Sequence, residues 1–229
     1  HMGTLAEEKK FNETATNRVI GLTIETRPDY VAPLLKATNT IDFTQIELFR
    51  SIGVTRVQIG IQTTNNTILK KINRGCKNID NKWGIRLLKS NGFKTDIHIM
   101  LDLPGSTPAI DRAVIDEITD DPELQADQWK LYPTETTPFS KIKEWYDKGL
   151  YKPYAEDHSE GLSYLLMDVV IHAMAKIKPY IRVNRVVRDI PHISIEGGLK
   201  CSNFRQLAKQ KMDKQGILTW DIREREVKY

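Results

Sequence analysis

The stretch TDIHIMLDLPG, residues 95–105, alternates apolar and polar side chains and then stops at a Pro-Gly turn. Three further stretches repeat this pattern, namely GLTIETRPD (21–29), RVQIGIQTT (56–64) and QWKLYPT (128–134). Side chains alternate between the two faces of a strand, so each stretch places its apolar residues on one face. The opposite face gathers Glu, Arg, Gln, His, Asp, Lys and Tyr. Such a polar face is typical of a sheet that binds a polar ligand.

The spacing of the four stretches indicates the type of sheet. They begin roughly 33 to 39 residues apart, and runs of helical period lie between them. A strand, a helix and a second strand at this period form a βαβ unit, which requires parallel strands and a right-handed crossover. In such folds the functional groups gather at the carboxyl ends of the strands. The connecting helices are predicted at Asp42–Ile52, Asn66–Ile72, Asp80–Asn91 and roughly Thr107–Ile118.

The rest of the chain is predicted to be mainly helical, with a strand-like or extended segment at Arg182–Ile190. Four strands cannot close a six- or eight-stranded barrel. We therefore interpret the fold as α/β, a partial (β/α) barrel with four parallel strands followed by a helical and extended carboxyl-terminal region. The sheet of this partial barrel is expected to have unpaired edges before Gly21 and after Thr134. Residues 182–195 are a candidate to cover one of these edges. The other helices are predicted at Thr4–Thr16, Lys141–Lys148, His158–Ile177 and Asn203–Gln215.

The composition is that of an ordinary soluble protein. The chain has 229 residues, of which 40% are apolar and 28% are charged. No apolar run is long enough to span a membrane, and the amino end lacks the apolar stretch of a signal peptide. His1 and Met2 look like residues left from an expression tag. Cys76 and Cys201 do not make a disulfide framework, so we expect a reducing, cytoplasmic location.

Positive charge is concentrated in the carboxyl-terminal part of the chain. The net charge is +4, and residues 182–229 contain 11 Lys and Arg against 6 Asp and Glu, which gives +5 there and −1 elsewhere. A basic region suits a polyanionic partner. Basic helices that are merely solvated would give the same count, so charge alone leaves both interpretations open.

Nine motifs, in order along the chain, resemble the radical-SAM region of the Elp3 family, the catalytic subunit of Elongator. They are GLTIETRPD, RVQIGIQT, NRG, LDLPG, KLYPT, EWYDKGLYKPY, RVNRVVRDIP, NFRQLA and DIREREV. The resemblance runs from about Glu8 to Val227. It implies a partial radical-SAM barrel that belongs to an enzyme using S-adenosylmethionine, a [4Fe–4S] cluster and acetyl-CoA. The family carboxymethylates carbon 5 of the wobble uridine (U34) of tRNA.

The chain also departs from the pattern of this family. A radical-SAM cluster needs three cysteines on one loop, and this chain has two distant ones, so we expect no cluster on it. Thr219, Asp221 and Glu224 stand where many relatives have a zinc-like cysteine cluster, so we expect no metal site. Cys76 follows the NRG motif in place of a histidine, and Gln58 replaces a glutamate. The acetyltransferase domain, with its acetyl-CoA site, would follow the last motif.

The resemblance implies a cofactor site at the carboxyl ends of the strands, formed by Glu25, Arg27, Gln62 and Asp102. Glu25 and Arg27 could hold the zwitterionic end of S-adenosylmethionine, although a salt bridge between them is the alternative. Gln62 could bond a ribose or methionyl group, whereas the residues after it suit helix capping. We expect Arg27, Gln62, Asp102 and Tyr132 to converge on one cavity.

Two residues on the polar face are candidates for catalysis. His98 could act as an acid or base, but a single inward histidine is more often packed or hydrogen-bonded than catalytic. Tyr132 could face the substrate or donate a hydrogen atom. The alternative for Tyr132 is a residue that fills the barrel interior with its hydroxyl group satisfied.

Basic side chains of the carboxyl-terminal region are the candidates for contact with tRNA phosphates. Arginines recur at every third residue from Arg182 to Arg188. The alternative for Arg188 is an ion-pair network with Asp189 that stabilises the junction between the two domains. The predicted tRNA-binding residues are Arg182, Arg185, Lys200, Arg205, Lys209 and Lys211.

These observations divide the chain into a leading segment (1–20), a partial radical-SAM barrel (21–150) and a basic helical and extended region (151–229). Two functions are compatible with them. The chain is either a fragment of a tRNA U34 carboxymethylation enzyme, not expected to be active alone, or a non-catalytic tRNA-binding or scaffold module derived from that fold. The expected partners are tRNA and either Elongator-like subunits or the remaining portions of the same enzyme, with no membrane.

Overall fold

Five parallel strands form the central sheet of the computed structural model, which describes residues 3–35, 40–156, 158–159 and 162–227. Neighbouring strands of the sheet follow one another in the chain, so a crossover joins each strand to the next. The strands are β1 (Thr23–Thr26), β2 (Arg56–Gln62), β3 (Lys94–Leu101), β4 (Gln128–Pro133) and β5 (Arg182–Arg185).

The four predicted strands are present, and each pairs in parallel with the next one along the chain. The structure adds a fifth strand within the segment Arg182–Ile190. This strand pairs in parallel with β4, with Arg182 opposite Gln128. β5 therefore covers the edge of the sheet after Thr134, which was expected to be unpaired. The parallel α/β architecture is therefore confirmed, with five strands instead of four.

Helices connect the strands and continue beyond them. None of the described helices is both long enough and apolar enough to cross a membrane. The helices are α1 (Leu5–Thr14), α2 (Pro28–Val31), α3 (Thr44–Ser51), α4 (Asn66–Lys71), α5 (Asn78–Ser90), α6 (Pro108–Asp120), α7 (Lys141–Asp147), α8 (Tyr164–Lys176), α9 (Phe204–Lys214) and α10 (Ile222–Arg225). Short 3₁₀ turns lie at Pro122–Leu124, Tyr154–Glu156 and His192–Ser194.

The helix predicted at His158–Ile177 begins later, at Tyr164. The residues before it form a short antiparallel pair, His158–Ser159 with Leu162–Ser163. The Ser163 hydroxyl accepts a hydrogen bond of 3.2 Å from the backbone N–H of Leu166. This N-cap satisfies an otherwise free donor of the first turn and fixes where the helix starts.

The apolar faces of the strands form one core with the helices packed on them. Ile59, Ile97 and Trp129 are completely buried, as their alternation with polar residues predicts. The carboxyl-terminal region contributes to the same core through Val169 and Phe204, which are also completely buried.

Two residues at strand ends adopt a left-handed backbone conformation. Gln62, the last residue of β2, has φ of 63°, and Asp102, just after β3, has φ of 60°. For a residue with a Cβ atom this conformation costs on the order of 1–3 kcal/mol, and it persists only where the surroundings impose it. Both residues lie at the carboxyl edge of the sheet, where functional groups of parallel α/β folds gather.

Candidate functional site

A hydrogen-bonded network covers the polar face of the sheet. Asp96 of β3 accepts from Arg56 at 2.8 Å and from the Gln58 amide at 3.2 Å. The oxygen of the same amide accepts from Lys130 Nζ at 2.6 Å. The network thus links three neighbouring strands. It arises because the period-two pattern points Arg56, Gln58, Asp96 and Lys130 to one face.

His98 lies within this network between β1 and β4. Its Nδ1 is 3.3 Å from Glu25 Oε1, and its Nε2 is 3.3 Å from Gln58 Oε1. Burial, together with the nearby Lys130 ammonium group, lowers the pKa of His98 to about 4. The ring is therefore neutral at neutral pH. Glu25, by contrast, has a side chain that is 62% exposed.

Tyr132 packs beside His98 and under Arg188. The rings of Tyr132 and His98 meet edge to face with 5.7 Å between their centroids. The guanidinium carbon of Arg188 lies 5.0 Å from the Tyr132 ring centroid, which is a cation–π contact. Burial raises the pKa of Tyr132 above its usual range. The two predicted catalytic residues are therefore neighbours.

A cavity of about 690 Å³ opens at the carboxyl edge of the sheet. A second cavity of about 400 Å³ shares Arg27, Gln62 and Arg74 with it and is also lined by Glu25. The residues that line the larger cavity include Arg27, Gln62, Lys71, Arg74, Trp145 and Arg188.

Five cationic side chains line the larger cavity, and no carboxylate does. Arg27 is paired with Asp29 at 2.7 Å, and not with Glu25, and Lys141 is paired with Glu144. The other three cations are Lys71, Arg74 and Arg188, and they form no ion pair within the part of the chain that the structure describes. An anionic or strongly polar ligand would therefore find cations that are not already neutralised.

Two buried polar atoms of this cavity lack hydrogen-bond partners among the described residues. They are Gln62 Oε1 and Arg74 Nε. A buried polar group without a partner is costly, typically 1–3 kcal/mol. Gln62 is also one of the two strand-end residues with a left-handed backbone. A ligand that donates a hydrogen bond in this cavity would satisfy the Gln62 acceptor.

Asp102 does not face the cavity as expected. Its two carboxylate oxygens accept the backbone N–H groups of Tyr154 and Ala155, at 3.0 and 2.8 Å. The left-handed backbone turns this side chain away from Gln62 and towards the segment after α7. Arg27 and Gln62 therefore share the cavity, whereas Asp102 does not line it, and Tyr132 lies behind Arg188.

The predicted tRNA-binding residues are mostly engaged in ion pairs. Arg205 is half-buried and bonded to Asp221 and Glu224, so its charge is already paired with two carboxylates, and its role in phosphate binding stays a prediction. Lys200 forms no ion pair in the described part of the chain and is exposed. Four further ion pairs are Arg182 with Glu226, Arg185 with Asp189, Lys209 with Asp213 and Lys211 with Asp168.

Lys71 and Arg74 are functional candidates that sequence reasoning did not select, and Arg188 was considered as a phosphate contact but is not among the predicted tRNA-binding residues. Arg74 belongs to the NRG motif, where Asn73 and Gly75 both have positive φ, 51° and 77°. Such a tight turn after α4 directs the arginine back over the sheet. The NRG motif could therefore have pointed to Arg74. Lys71 and Arg188, by contrast, line the same cavity only because of the tertiary structure.

The described residues do not fit an iron–sulfur cluster. Cys76 is buried and Cys201 is half-buried, and each is a free thiol. Among the described residues no group of three or more His, Cys, Asp or Glu could hold a metal ion.

Two family models match the chain. The model described as the radical SAM superfamily matches residues 4–113, and the model described as the Radical_SAM C-terminal domain matches residues 126–214. Together they account for most of the chain.

Curated relatives match almost the whole chain. The tRNA uridine(34) acetyltransferase of Methanocaldococcus jannaschii is 34% identical over 98% of this chain and 38% of its own length. That of Dehalococcoides mccartyi is 36% identical over 93% of this chain and 43% of its own. Elongator complex protein 3 of Homo sapiens is 32% identical over 96% of this chain and 37% of its own. The chain thus spans about two fifths of the length of these relatives.

A solved structure shares the fold. It is an archaeal Methanocaldococcus infernus Elp3 with an amino-terminal deletion, which superimposes with a TM-score of 0.86 at 33% identity. The match covers 97% of this chain and 48% of the other.

Proposed function

The chain belongs to the Elp3 family of the radical-SAM superfamily, and on that premise we propose that it is the radical-SAM portion of an enzyme that modifies uridine 34 of tRNA. In the complete protein this reaction is carboxymethylation at carbon 5, with acetyl-CoA as the source of the added group. The leading segment (1–20), the partial barrel (21–150) and the basic region (151–229) remain our proposed division.

The observation that carries this proposal is the cavity at the carboxyl edge of the sheet. It combines three cations that form no ion pair with any described residue, a buried acceptor on Gln62 and the aromatic ring of Trp145. A nucleotide offers the matching groups, namely phosphates for cations, base edges for polar atoms and a flat face for a ring.

The residues present fit S-adenosylmethionine on this side of the sheet. Arg27 and Glu25 would hold its carboxylate and amino groups, and Gln62 would accept a hydrogen bond from a hydroxyl group of the ligand. In the complete protein, S-adenosylmethionine would supply the radical chemistry for which the superfamily is named, with the electron donated by the family's [4Fe–4S] cluster, which the described residues do not fit. His98 and Tyr132, as neighbours on the polar face, remain the proposed catalytic residues.

Binding of S-adenosylmethionine to the chain tests the cofactor part of the proposal. We expect weak binding by isothermal titration calorimetry, with Arg27→Met and Gln62→Leu each reducing the affinity about tenfold, which corresponds to ~1.4 kcal/mol. Gln128→Leu is the matched control, because Gln128 lies on the same sheet but bonds Asn184 away from the cavity. Equal affinities for all variants would contradict the assignment.

Binding of a tRNA anticodon stem-loop tests the substrate part. We propose that Lys71 and Arg188 contact its phosphates. If about three phosphates are contacted, log affinity should fall with log salt at a slope of about −2. The double variant Lys71→Glu/Arg188→Glu should lose binding. The control Lys209→Glu/Lys211→Glu should retain most of it, because both lysines already pair with carboxylates. The opposite ranking would place the RNA on the carboxyl-terminal helix.

A non-catalytic module that binds tRNA or another subunit is the second candidate function. It is favoured by the two distant cysteines, which do not fit a cluster in the described part of the chain. Salt-dependent RNA binding without any binding of S-adenosylmethionine would support it. In either case we propose tRNA as the principal partner and the cytoplasm as the location, with Elongator-like subunits or further portions of the same enzyme as other partners.

A further inference from the structure

The amide of Gln58 lies at the centre of the polar face, and its neighbours determine its orientation. Its Nε2 lies 3.2 Å from Asp96 Oδ2, and its Oε1 lies 2.6 Å from Lys130 Nζ. An ionised carboxylate only accepts hydrogen bonds, and an ammonium group only donates them. Burial raises the pKa of Asp96, and the Arg56 guanidinium group at 2.8 Å opposes this shift and favours the ionised form. The amide therefore has one satisfactory orientation, with its nitrogen towards Asp96 and its oxygen towards Lys130.

This orientation presents an acceptor to His98. Gln58 Oε1 lies 3.3 Å from His98 Nε2, so a favourable contact requires a hydrogen on Nε2. A neutral imidazole carries one N–H only, which leaves Nδ1 without a hydrogen. Nδ1 in turn lies 3.3 Å from Glu25 Oε1. Gln58 and Glu25 thus compete for the single ring hydrogen.

The competition favours Gln58 because of burial and charge. His98 is 5% exposed, and positive groups reach it from several elements, so a second ring proton is disfavoured. Glu25 is largely exposed and can turn its carboxylate into water, whereas Gln58 is held by two other bonds. The titratable and charged groups that face the ring are Glu25 from β1, Lys130 and Tyr132 from β4, Arg74 after α4 and Arg188 after β5.

We propose that Gln58 is a positioning residue that fixes His98 as the Nε2–H tautomer and leaves Nδ1 as a hydrogen-bond acceptor for a donor group of the substrate. Nδ1 faces Glu25, which lines the smaller cavity next to Arg27 and Gln62. The imide N–H of a uracil ring is a donor of this kind. The identification of the donor rests on the proposed function, but the tautomer does not.

The tautomer can be measured directly on the chain. Long-range ¹H–¹⁵N correlation spectra of ¹⁵N-histidine-labelled protein distinguish protonated from bare ring nitrogens. The chain has 5 histidines, so the His98 signals are identified by their loss in His98→Asn. We expect a bare Nδ1 and a protonated Nε2 at pH 7, with no titration of the ring above about pH 5.

Three variants separate a positioning role from a merely structural one. In Gln58→Leu, Nε2 loses its acceptor and Glu25 should draw the hydrogen, so the ring should convert to the Nδ1–H tautomer. In Gln58→Glu, two carboxylates face the ring, and its titration midpoint should rise by at least about one pH unit. Gln128→Leu, which removes an amide elsewhere on the same sheet, should leave the His98 signals unchanged.

An Nδ1–H tautomer in the unmodified chain, or an unchanged tautomer in Gln58→Leu, would overturn the inference. If Gln58→Leu does not fold, an unshifted midpoint in Gln58→Glu overturns it equally. The measurement requires neither S-adenosylmethionine nor RNA. An Nε2–H ring in a chain that binds neither ligand would uphold the tautomer and count against the proposed function alone.

Discussion

Glu135 carries a buried carboxyl group that its surroundings do not satisfy. Its Oε2 has no hydrogen-bond partner among the described residues, and burial raises the pKa of Glu135 to about 7. The folded pKa lies above the ordinary value of 4.5, so the folded state holds this proton more tightly than the unfolded state. Between about pH 4.5 and pH 7 the unfolded state loses the proton first, and stability therefore falls as pH rises through this window.

We expect Glu135→Gln to remove this loss. The free energy of unfolding at pH 8 should rise by about 1 kcal/mol relative to the unmodified chain, while the two should agree at pH 4.5. Urea unfolding followed by circular dichroism at several pH values measures both. An equal gain at every pH would mean that the charge of Glu135 is not the cause.

Arg205 shows why a basic residue in a sequence is not by itself an RNA contact. Its guanidinium group bonds Asp221, which is completely buried, and Glu224 at 2.8 Å, and it also donates to the backbone oxygen of Val183. These partners are distant in the chain and become neighbours only on folding. The sequence therefore predicts the charge of Arg205 but not its position.

We expect Arg205→Met to destabilise the chain by about 3–5 kcal/mol, because it leaves the buried carboxylate of Asp221 and the half-buried carboxylate of Glu224 without a counter-charge. Lys209→Met, four residues later on the same helix, removes only a surface ion pair and should cost less than about 1 kcal/mol. Urea unfolding of both variants at pH 7 measures the difference. Similar small costs would show that Arg205 is not a structural brace.

At the level of elements, the regular alternation of β1 to β4 made these strands predictable. β5 is only four residues long, and it pairs with β4 with an irregular register between Trp129 and Lys130. β1 is equally short, but Leu22 just before it and Ile24 within it alternate with polar residues, whereas the RVNR of β5 has one apolar residue, which is too little pattern to distinguish a strand from an extended loop. The polar face could be predicted as a set, which placed Glu25, Arg27 and Gln62 at the edge of the sheet. Asp102 was expected to line the cavity with them and does not. Its positive φ interrupts the alternation of side chains between the two faces of the sheet.

Asp102 joins the end of β3 to the segment that follows α7. Besides its two bonds to backbone N–H groups, its carbonyl oxygen accepts from the Tyr151 hydroxyl at 2.6 Å. Its own N–H donates to Asp111, which also accepts from the Tyr154 hydroxyl. These hydrogen bonds hold residues 151–155 against the end of β3. Because α7, which precedes them, lines the cavity, they also hold part of the cavity wall against the sheet.

We expect Asp102→Gly to weaken the attachment of residues 151–155 to β3. The substitution removes the carboxylate, and glycine adopts the positive φ without strain. The amides of Tyr154 and Ala155 should exchange with deuterium at least about tenfold faster, as measured by hydrogen-exchange NMR. Asp147→Gly, which removes an exposed partner of Lys143, should leave these two amides unchanged. Unaltered protection in Asp102→Gly would show that the segment is held by other contacts.

At the scale of the whole molecule, the candidate site is assembled from segments that lie far apart in the chain. Arg27 follows β1, Lys71 ends α4, Trp145 lies in α7 and Arg188 follows β5. The parallel topology brings these segments to one edge because every strand ends there. The sequence could locate that edge through the strand pattern. It could not show which cations remain without ion pairs, since that depends on partners supplied by other segments.

The first edge of the sheet carries an exposed apolar surface. Ile20 is 92% exposed and Val19 is 68% exposed, directly before β1. In the described part of the chain β1 pairs only with β2, so its outer edge has free backbone donors and acceptors. An edge strand next to apolar side chains favours association with a second chain.

We expect Ile20→Lys to reduce concentration-dependent self-association, measured by light scattering between about 10 and 500 μM. Ile79→Lys, at an exposed position of α5, is the matched control and should change association little. If both substitutions act alike, net charge and not the edge of β1 governs association.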